Sequence, residues 1–163
     1  MDIYGFLAQH GITYERLDHP PVMTVEEADR LVPPGAGART KNLFLRDDKG
    51  KRHFLVGVSH DKQVDLKRLS DVMKTSKVSF GSPERLRNHL GVEPGAVTLL
   101  GVVNDPEHKV EVFIDRDLWS ADAIRCHPLV NTATLVIPRS GLERVFQVTG
   151  HQYRLIDIPV RAP

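Results

Sequence analysis

Lys41 is the residue whose surroundings most favour a chemical role. It follows a stretch rich in proline and glycine, residues 33–37, and precedes the apolar run 43–45. A lysine at the start of such a strand can hold its ammonium group at the end of a sheet, where clefts commonly lie. The simpler alternative is a strand-end lysine that faces water. Its position alone leaves both interpretations open.

Cys126 and His127 are adjacent and form a second candidate, as a nucleophile and its base. However, adjacent side chains of an extended chain point to opposite sides, so these two are not expected to contact each other. Cys126 is the only cysteine, which excludes an internal disulfide and a cluster of thiolate metal ligands. We therefore expect a buried and unreactive thiol.

Other catalytic signatures are absent from the sequence. It contains no glycine-rich loop followed by Gly-Lys-Ser or Gly-Lys-Thr, and no Gly-x-Ser-x-Gly elbow. The eight histidines show no pair at helical metal-ligand spacing, so neither a metal nor a cofactor is predicted. Asn131, Gly95 and Gly101 can each be explained as turn or packing residues alone.

The composition is that of one soluble globular domain spanning residues 1–163. The 163 residues are 40% hydrophobic and 26% charged, and this length leaves no room for a second module. No run approaches the roughly 18 apolar residues of a membrane span, and the N-terminus lacks the basic and apolar regions of a signal peptide. Together with the single cysteine, these features predict a cytoplasmic protein without membrane contacts.

The net charge of +1 conceals an uneven distribution. Residues 39–77 contain eleven Lys or Arg and five Asp or Glu, whereas the rest of the chain contains eleven basic and sixteen acidic residues. A basic face of this kind can bind a polyanion. The alternative is a solvated surface on which basic residues cluster by chance.

Helices and strands are predicted in a mixed order. Helices are predicted over residues 65–73 and after caps at Asp2, Thr24, Ser82 and Ser140. Strands are predicted at 12–17, 41–46, 53–58, 77–80, 96–103, 109–115, 134–137 and 153–158. The elements lack the strict alternation of a doubly wound fold. They favour the α+β class with a mixed, largely antiparallel sheet.

Four different motifs follow one another along the chain. They are Thr40-Lys41-Asn42-Leu43-Phe44-Leu45, Val78-Ser79-Phe80-Gly81, the stretch from Leu90 to Asp105 with Gly95 and Gly101, and His127-Pro128-Leu129-Val130-Asn131 with Ala133-Thr134. Their order and spacing resemble the YbaK/ProX family of aminoacyl-tRNA editing domains. The strongest likeness is to the free-standing prolyl-tRNA editing proteins of the ProXp-ala (PrdX-like) branch. It covers nearly the whole chain, and although each motif is weak alone, four in register are specific.

The resemblance implies one α+β domain, with a barrel-like mixed sheet flanked by helices. It also implies hydrolysis of the ester between a wrong amino acid and the 3′-terminal adenosine of tRNA, which in the alanine-specific branch is alanyl-tRNA(Pro). Lys41 corresponds to the family's essential lysine. The loop from Gly95 to Gly101 corresponds to the one that presents backbone N–H groups. Related domains carry Gly-x-x-x-Pro in this loop, whereas Leu99 takes the place of the proline here.

The resemblance further indicates residues that contact the substrate. Arg46 and Lys77 correspond to basic contacts with the acceptor stem. Asn42 and Asn131 are candidates to hold the loop or the substrate amine. Five more residues are candidates for the terminal ribose, the adenine or the pocket wall, with a structural role as the alternative: His127, Phe44, Leu43, Leu45 and Leu129.

The implied reaction needs no covalent enzyme intermediate, because an aminoacyl ester is already activated. Water can attack the carbonyl carbon while the vicinal ribose hydroxyl relays the proton. The enzyme then has to orient the ester and stabilise the tetrahedral oxyanion. Backbone N–H groups of the glycine loop suit the second task. Lys41 would either anchor the terminal phosphate or ribose or polarise the carbonyl, and both remain open.

The expected partner is the acceptor end of tRNA(Pro) carrying a wrong amino acid. A synthetase pocket built for proline rejects alanine weakly, since each missing methylene is worth only about 1–3 kcal/mol, so a second and smaller pocket is needed. Prolyl-tRNA synthetase or an elongation factor are further expected partners. Three alternatives stay open: a cysteinyl-tRNA(Pro) deacylase of the YbaK branch, a non-catalytic tRNA-binding module, and a hydrolase of small esters or amides.

Overall fold

The computed structural model describes residues 1–31 and 37–162, so the proline- and glycine-rich stretch 33–36 lies outside the described residues. The helices are α1 (Ile3–Gln9), α2 (Val25–Leu31), α3 (Leu66–Val72), α4 (Pro83–Leu90), α5 (Arg116–Trp119) and α6 (Arg139–Thr149), with a 3₁₀ helix at Leu99–Asn104. The strands are β1 (Glu15–Asp18), β2 (Thr40–Arg46), β3 (His53–Ser59), β4 (Ser79–Phe80), β5 (Val110–Asp115), β6 (Ala123–Cys126), β7 (Ala133–Pro138) and β8 (Tyr153–Ile156).

The strands form two sheets. One has the order β4-β2-β3-β5-β8 and the other the order β1-β7-β6. β2 pairs antiparallel with β3 and β4, β5 pairs parallel with β3 and β8, and the smaller sheet is antiparallel throughout. The predicted α+β class and mixed sheet are confirmed. The barrel-like closure is wrong within the described residues, because β4 and β8 are open edges of one sheet and β1 and β6 are open edges of the other.

A short main-chain segment bonds the two sheets to each other. The Ala38 N–H donates a hydrogen bond to the Ala123 carbonyl (2.8 Å), and the Arg125 N–H donates to the Ala38 carbonyl (3.0 Å). The Thr40 hydroxyl then donates to the Arg125 carbonyl (2.8 Å). The start of β2 is therefore fixed beside β6. We call this contact the seam.

Local signals set the ends of several helices. Asp2, Asp65 and Ser82 each accept a hydrogen bond from the backbone N–H three residues later, at 3.0, 3.1 and 3.2 Å. Thr24 does the same at the start of α2 (3.1 Å). Caps of this kind stabilise a helix by about 1 kcal/mol. Gly91 ends α4 at a φ of 65°, which a residue without Cβ adopts most easily.

The strand predicted for the apolar run 96–103 does not form. The second half of this run forms the 3₁₀ helix, and Thr98 caps that helix by accepting from the Leu100 N–H (3.2 Å). Every residue from Leu99 to Val102 is buried. A short run that is apolar on all sides suits a buried helix as well as a buried strand, and its periodicity cannot separate the two.

The structure differs from the predictions in three smaller features as well. Ser140 does not cap α6, which begins at Arg139 with Pro138 in the cap position and no side-chain hydrogen bond. The apolar spacing of the predicted helix 65–73 puts Val72 on one face with Leu66, Leu69 and Met73. In the structure Val72 is 41% exposed at the end of α3. Strand β6 and the one-turn helix α5 were not anticipated, because neither segment is long enough to show a period.

Both faces of the larger sheet are covered by packed side chains. Along β3, Phe54, Val56 and Val58 pack into a smaller cluster with α3, whereas Leu55 faces a larger cluster that includes residues of both sheets. Burial on both faces explains why this strand is continuously apolar. In the part of the chain that the structure describes, no helix is both long and apolar enough to cross a membrane.

His53 is a buried polar residue inside this packing, 4% exposed. Its Nε2 accepts a hydrogen bond from Arg85 Nη1 (3.0 Å), because a guanidinium can only donate. The ring of His89 lies 4.0 Å from its own, centroid to centroid, and Phe44 stacks on it at 5.8 Å. Burial, the neighbouring His89 and Arg85 lower the pKa of His53 from 6.5 to about 4.

We predict that this histidine makes the fold sensitive to acid. The unfolded chain takes up a proton near pH 6.5 and the folded chain only near pH 4, so the free energy of unfolding falls as the pH drops through this window. The contribution of His53 to this loss is at most about 1.4 kcal/mol per pH unit. Denaturant titrations at pH 7.5 and 5.0 should show a smaller loss for His53→Gln than for the wild type or a His10→Gln control. Equal losses in all three would contradict the prediction.

Candidate active site

A pocket of about 230 Å³ opens beside the seam. Four residues that the sequence singles out as site residues line it: Lys41, Asn42, Gly95 and His127. The other lining residues come from the segment before α2, the seam, the turn after β3, the loop that contains Gly95 and strands β6 and β7: Val22, Met23, Thr24, Arg39, Thr40, His60, Val97, Arg125, Cys126 and Thr134. Thr40 and Thr134 lie within the recognised motifs, whereas nothing in the sequence marks Arg125 because β6 was not predicted.

Lys41 enters the pocket from the start of β2. Its Nζ donates a hydrogen bond to the backbone carbonyl of Lys62 and to no other described residue. An ammonium group has three N–H donors, so two remain for a substrate. Burial lowers the pKa of Lys41 below its ordinary value, against the opposing charge of Asp61 and with Arg161 adding to the effect.

The loop before the 3₁₀ helix brings main-chain donors to the same pocket. Gly95 has a φ of 90°, and the Ala96 N–H closes a turn onto the Glu93 carbonyl (3.0 Å). The N–H groups of Gly95 and Val97 donate to no described residue. A Cβ on Gly95 would lie 2.6 Å from Met23 Sδ, so a side chain here would displace Met23. Main-chain N–H groups beside a cation are the components of an oxyanion hole.

Asn131 lies behind the pocket wall and holds it in place. Its Nδ2 donates to the Val22 carbonyl (2.8 Å), and the Val22 N–H donates to the Asn131 carbonyl (3.3 Å). Asn42 lines the pocket itself, opposite Gly57 in the pairing of β2 and β3. Its Oδ1 is the one buried side-chain oxygen or nitrogen of the described residues that lacks a hydrogen-bond partner. An unpaired buried acceptor destabilises the fold at this position.

His127 is half-buried and neutral. Its Nδ1 lies 3.2 Å from the Ala133 carbonyl, which can only accept, so Nδ1 carries the proton and Nε2 holds a lone pair. Burial lowers the pKa of His127, against the bond to Ala133 and with nearby His19 adding to the effect. His19 also contacts Thr134 in the pocket wall, with 2.8 Å between Nε2 and Oγ1.

Cys126 is buried, as the sequence predicts. Burial raises the pKa of its thiol to about 12. Because the thiolate is the nucleophilic form, this side chain lines the pocket as a small apolar group.

Gly101 requires a correction, because the structure places it outside the pocket. It is buried in the 3₁₀ helix, and its N–H donates to the Thr98 carbonyl (3.0 Å). A Cβ on it would lie 3.2 Å from the Leu90 side chain, so helix packing explains the glycine. Its N–H is therefore committed and cannot serve an oxyanion.

Four apolar candidates also lie outside the pocket. Phe44 is 4% exposed and packs in the larger cluster against His53, so it cannot stack on an adenine. Leu45 is fully buried in the smaller cluster, and Leu43 packs against that cluster. Leu129 packs against the larger cluster at a φ of 68°. The expected pocket wall is built instead by residues of the segment before α2 and by Val97.

Arg46 and Lys77 lie at the far end of β2 from Lys41. Arg46 pairs with Ser79 of β4 and donates from Nη1 to the Asp47 carbonyl (3.2 Å), and Lys77 is exposed just before β4. Arg46 follows Lys41 by five positions along β2, which corresponds to roughly 17 Å at about 3.3 Å per residue. These two cations are therefore not part of the pocket.

Comparison with known proteins identifies the family. Residues 19–145 match the family model of the aminoacyl-tRNA editing domain. The chain belongs to this family. It is 37% identical to the prolyl-tRNA editing protein ProX of Acetoanaerobium sticklandii over 147 residues, which cover 90% of each chain.

One further relative and one solved structure are also similar to the chain. The prolyl-tRNA synthetase associated domain-containing protein 1 of Danio rerio is 37% identical over 152 residues, covering 92% of this chain and 82% of the relative. A crystal structure described as a candidate trans-editing enzyme for prolyl tRNA synthetase has the same fold. Its TM-score is 0.71 at 21% identity, and the match covers 98% of this chain and 96% of that one.

We predict that the thiol of Cys126 is unreactive in the folded protein. With a pKa of about 12, only about 10⁻⁴ of it is thiolate at pH 8. Native protein should react with a disulfide thiol reagent at least a hundredfold more slowly than protein in denaturant. A Ser140→Cys, Cys126→Ala variant, whose thiol stands at an exposed position, provides the matched fast control. Equally fast labelling of the native wild type and this control would contradict the assignment.

Proposed function

We propose that this protein is a trans-acting deacylase that removes alanine from alanyl-tRNA(Pro), a product of misacylation by prolyl-tRNA synthetase. Its family membership and the names of its relatives support editing of prolyl-tRNA. One observation carries the assignment: Lys41 lines the same pocket as Gly95 and Val97, whose N–H groups donate to no described residue. We place the reaction in the cytoplasm and expect no metal or cofactor.

The pocket performs the reaction by orientation and charge stabilisation. The two remaining donors of Lys41 bind the terminal phosphate or ribose and set the position of the ester. Water attacks the carbonyl carbon, the vicinal hydroxyl of the ribose relays the proton, and the N–H groups of Gly95 and Val97 bind the oxyanion. Each donor of this kind contributes about 10²–10³ in rate. Cys126 takes no part, because its thiol stays protonated.

Selectivity for alanine follows from the walls around this oxyanion site. Val22, Met23 and Val97 supply apolar surface at the pocket, and Asn131 fixes the first of these. A small apolar wall admits the methyl group of alanine and excludes the ring of proline. The synthetase cannot make this distinction, because a pocket that fits proline also admits the smaller alanine. The unpaired Oδ1 of Asn42 suits the α-amine of the substrate, once the amide turns toward the pocket.

The acceptor stem would lie along β2, away from the pocket. Arg46 stands roughly 17 Å along β2 from Lys41, and Lys77 lies just before β4, which pairs with that end of β2. Their positive charge would lie beyond the single-stranded end of the tRNA. Phe80, 60% exposed on β4, lies beside them and offers the aromatic face that buried Phe44 does not. Transient binding to prolyl-tRNA synthetase or an elongation factor would deliver the substrate.

The decisive experiment is deacylation of pre-charged Ala-, Cys-, Ser- and Pro-tRNA(Pro). We expect rapid loss of alanine with cognate proline retained. Lys41→Ala should lower kcat/KM by at least a hundredfold, because it removes the group that positions the ester.

Lys109→Ala is the matched control, since this lysine is exposed and pairs with Glu107 (3.0 Å) away from the pocket. Preferential loss of cysteine would keep the family and assign the chain to the cysteine-specific branch. Binding of tRNA without hydrolysis of any ester would leave a non-catalytic binding module. Turnover of small amino-acid esters that does not respond to salt would indicate a hydrolase that does not use RNA.

We also predict that Arg46 and Lys77 set the salt dependence of tRNA binding. Each phosphate contact contributes about 0.7–0.9 to the slope of log affinity against log salt concentration. The double variant Arg46→Gln, Lys77→Gln should therefore flatten this slope by one to two units, and alanyl-adenosine should be hydrolysed as before. A Lys109→Gln variant with the same flattening would show that only total charge matters.

A further inference from the structure

A buried carboxylate lies at the sheet edge where β2 begins. Asp115 is the last residue of β5, and its side chain is 1% exposed. It accepts three hydrogen bonds: from the Ser59 N–H at the end of β3 (3.1 Å), from the Asp117 N–H (3.1 Å) and from Lys62 Nζ (2.9 Å). The parallel strands β3 and β5 end side by side here, so one carboxylate can hold both the strand end and the turn that follows it.

Lys62 connects this carboxylate to the pocket. Its Nζ also contacts Asp117 Oδ2 (2.7 Å), and its N–H donates to the Ser59 carbonyl (3.1 Å). Burial alone would lower the pKa of Lys62, but the bonds to Asp117 and Asp115 raise it above its ordinary value, so the side chain of Lys62 is charged. We call the ion pair between Asp115 and Lys62 the clamp. The backbone carbonyl of Lys62 accepts the hydrogen bond from Lys41 Nζ.

We propose that Asp115 is a positioning residue for deacylation, which fixes the carbonyl of Lys62 and thereby aims the ammonium of Lys41 at the substrate. The assignment rests on the proposed function. It explains why a fully buried carboxylate accepts three N–H donors at the edge nearest the pocket. Asp115 reaches the reacting atoms only through Lys62 and Lys41, so it touches neither the ester nor the tRNA.

Asp117 provides an internal comparison. It contacts the same ammonium of Lys62, but its side chain is 75% exposed. An exposed ion pair of this kind contributes little, because water and salt screen it, whereas a buried carboxylate that loses its charge leaves its donors unpaired. Asp115→Asn keeps one acceptor oxygen but turns an N–H₂ group toward the remaining donors, so at least one of them loses its partner. It also removes the negative charge that faces Lys62, which weakens the clamp. Asp117→Asn leaves the clamp in place.

The test is a double-mutant cycle in alanyl-tRNA(Pro) deacylation, with thermal melts to confirm folding. Asp115→Asn should lower kcat/KM at least tenfold and Asp117→Asn less than twofold. In a Lys41→Ala background, Asp115→Asn should lower it less than twofold further, because the group that it positions is gone. Lys62→Met should reproduce the loss if Asp115→Asn folds poorly. Lys62→Arg, which keeps the charge, should retain most of the activity.

Three results would overturn the assignment. An equal loss from Asp115→Asn with and without Lys41 would show a general structural role. Equal effects of Asp115→Asn and Asp117→Asn would show that burial of the carboxylate is irrelevant. Full activity of Lys62→Met would show that Lys62 does not connect Asp115 to Lys41. In each case a wild type that deacylates alanyl-tRNA(Pro) preserves the proposed function, whereas an inactive wild type would overturn both.

Discussion

The structure depends on the hydrogen bonds of the seam. Main-chain atoms of Ala38, Ala123 and Arg125, with the hydroxyl of Thr40, fix the start of β2 against β6. Each such bond contributes only about 1 kcal/mol net, but leaving its groups unpaired inside the fold costs more, so the two sheets cannot slide apart in small steps. The pocket exists because this contact holds β2 and β6 at one fixed separation while the larger cluster fills the space behind them.

The seam also explains how the chemistry is divided among the elements. Lys41 is the second residue of β2, so the backbone that carries it is fixed by the sheet. The proposed oxyanion donors come from the turn at Gly95, whose φ of 90° favours a glycine and where a Cβ would collide with Met23. In the proposed reaction, one rigid strand aims the substrate and one tight turn stabilises its charge. This arrangement needs no nucleophile, because the ester is already reactive.

Local signals made part of this structure predictable. The caps at Asp2, Thr24 and Ser82 can be recognised from the few residues around each helix start. The resemblance to the editing family indicates Lys41 and Gly95 as site residues. The 3₁₀ helix could not be foreseen, since an apolar run with no period fits either buried helix or buried strand. That error misplaced Gly101, whose N–H is used within the helix.

Long-range contacts set the remaining features, which the sequence does not encode locally. The ring of Phe44 packs against His53 of the neighbouring strand and against His89 of α4, which lies 45 positions later in the chain. Whether the side chain of Phe44 is buried or exposed depends on these neighbours and not on its residue type. The same dependence on distant partners has a consequence during synthesis. His19 bonds a residue 115 positions later, and Asn131 bonds one 109 positions earlier. A chain emerging N-terminus first therefore cannot form the pocket until β6 and β7 have left the ribosome, and β1 waits unpaired for most of translation.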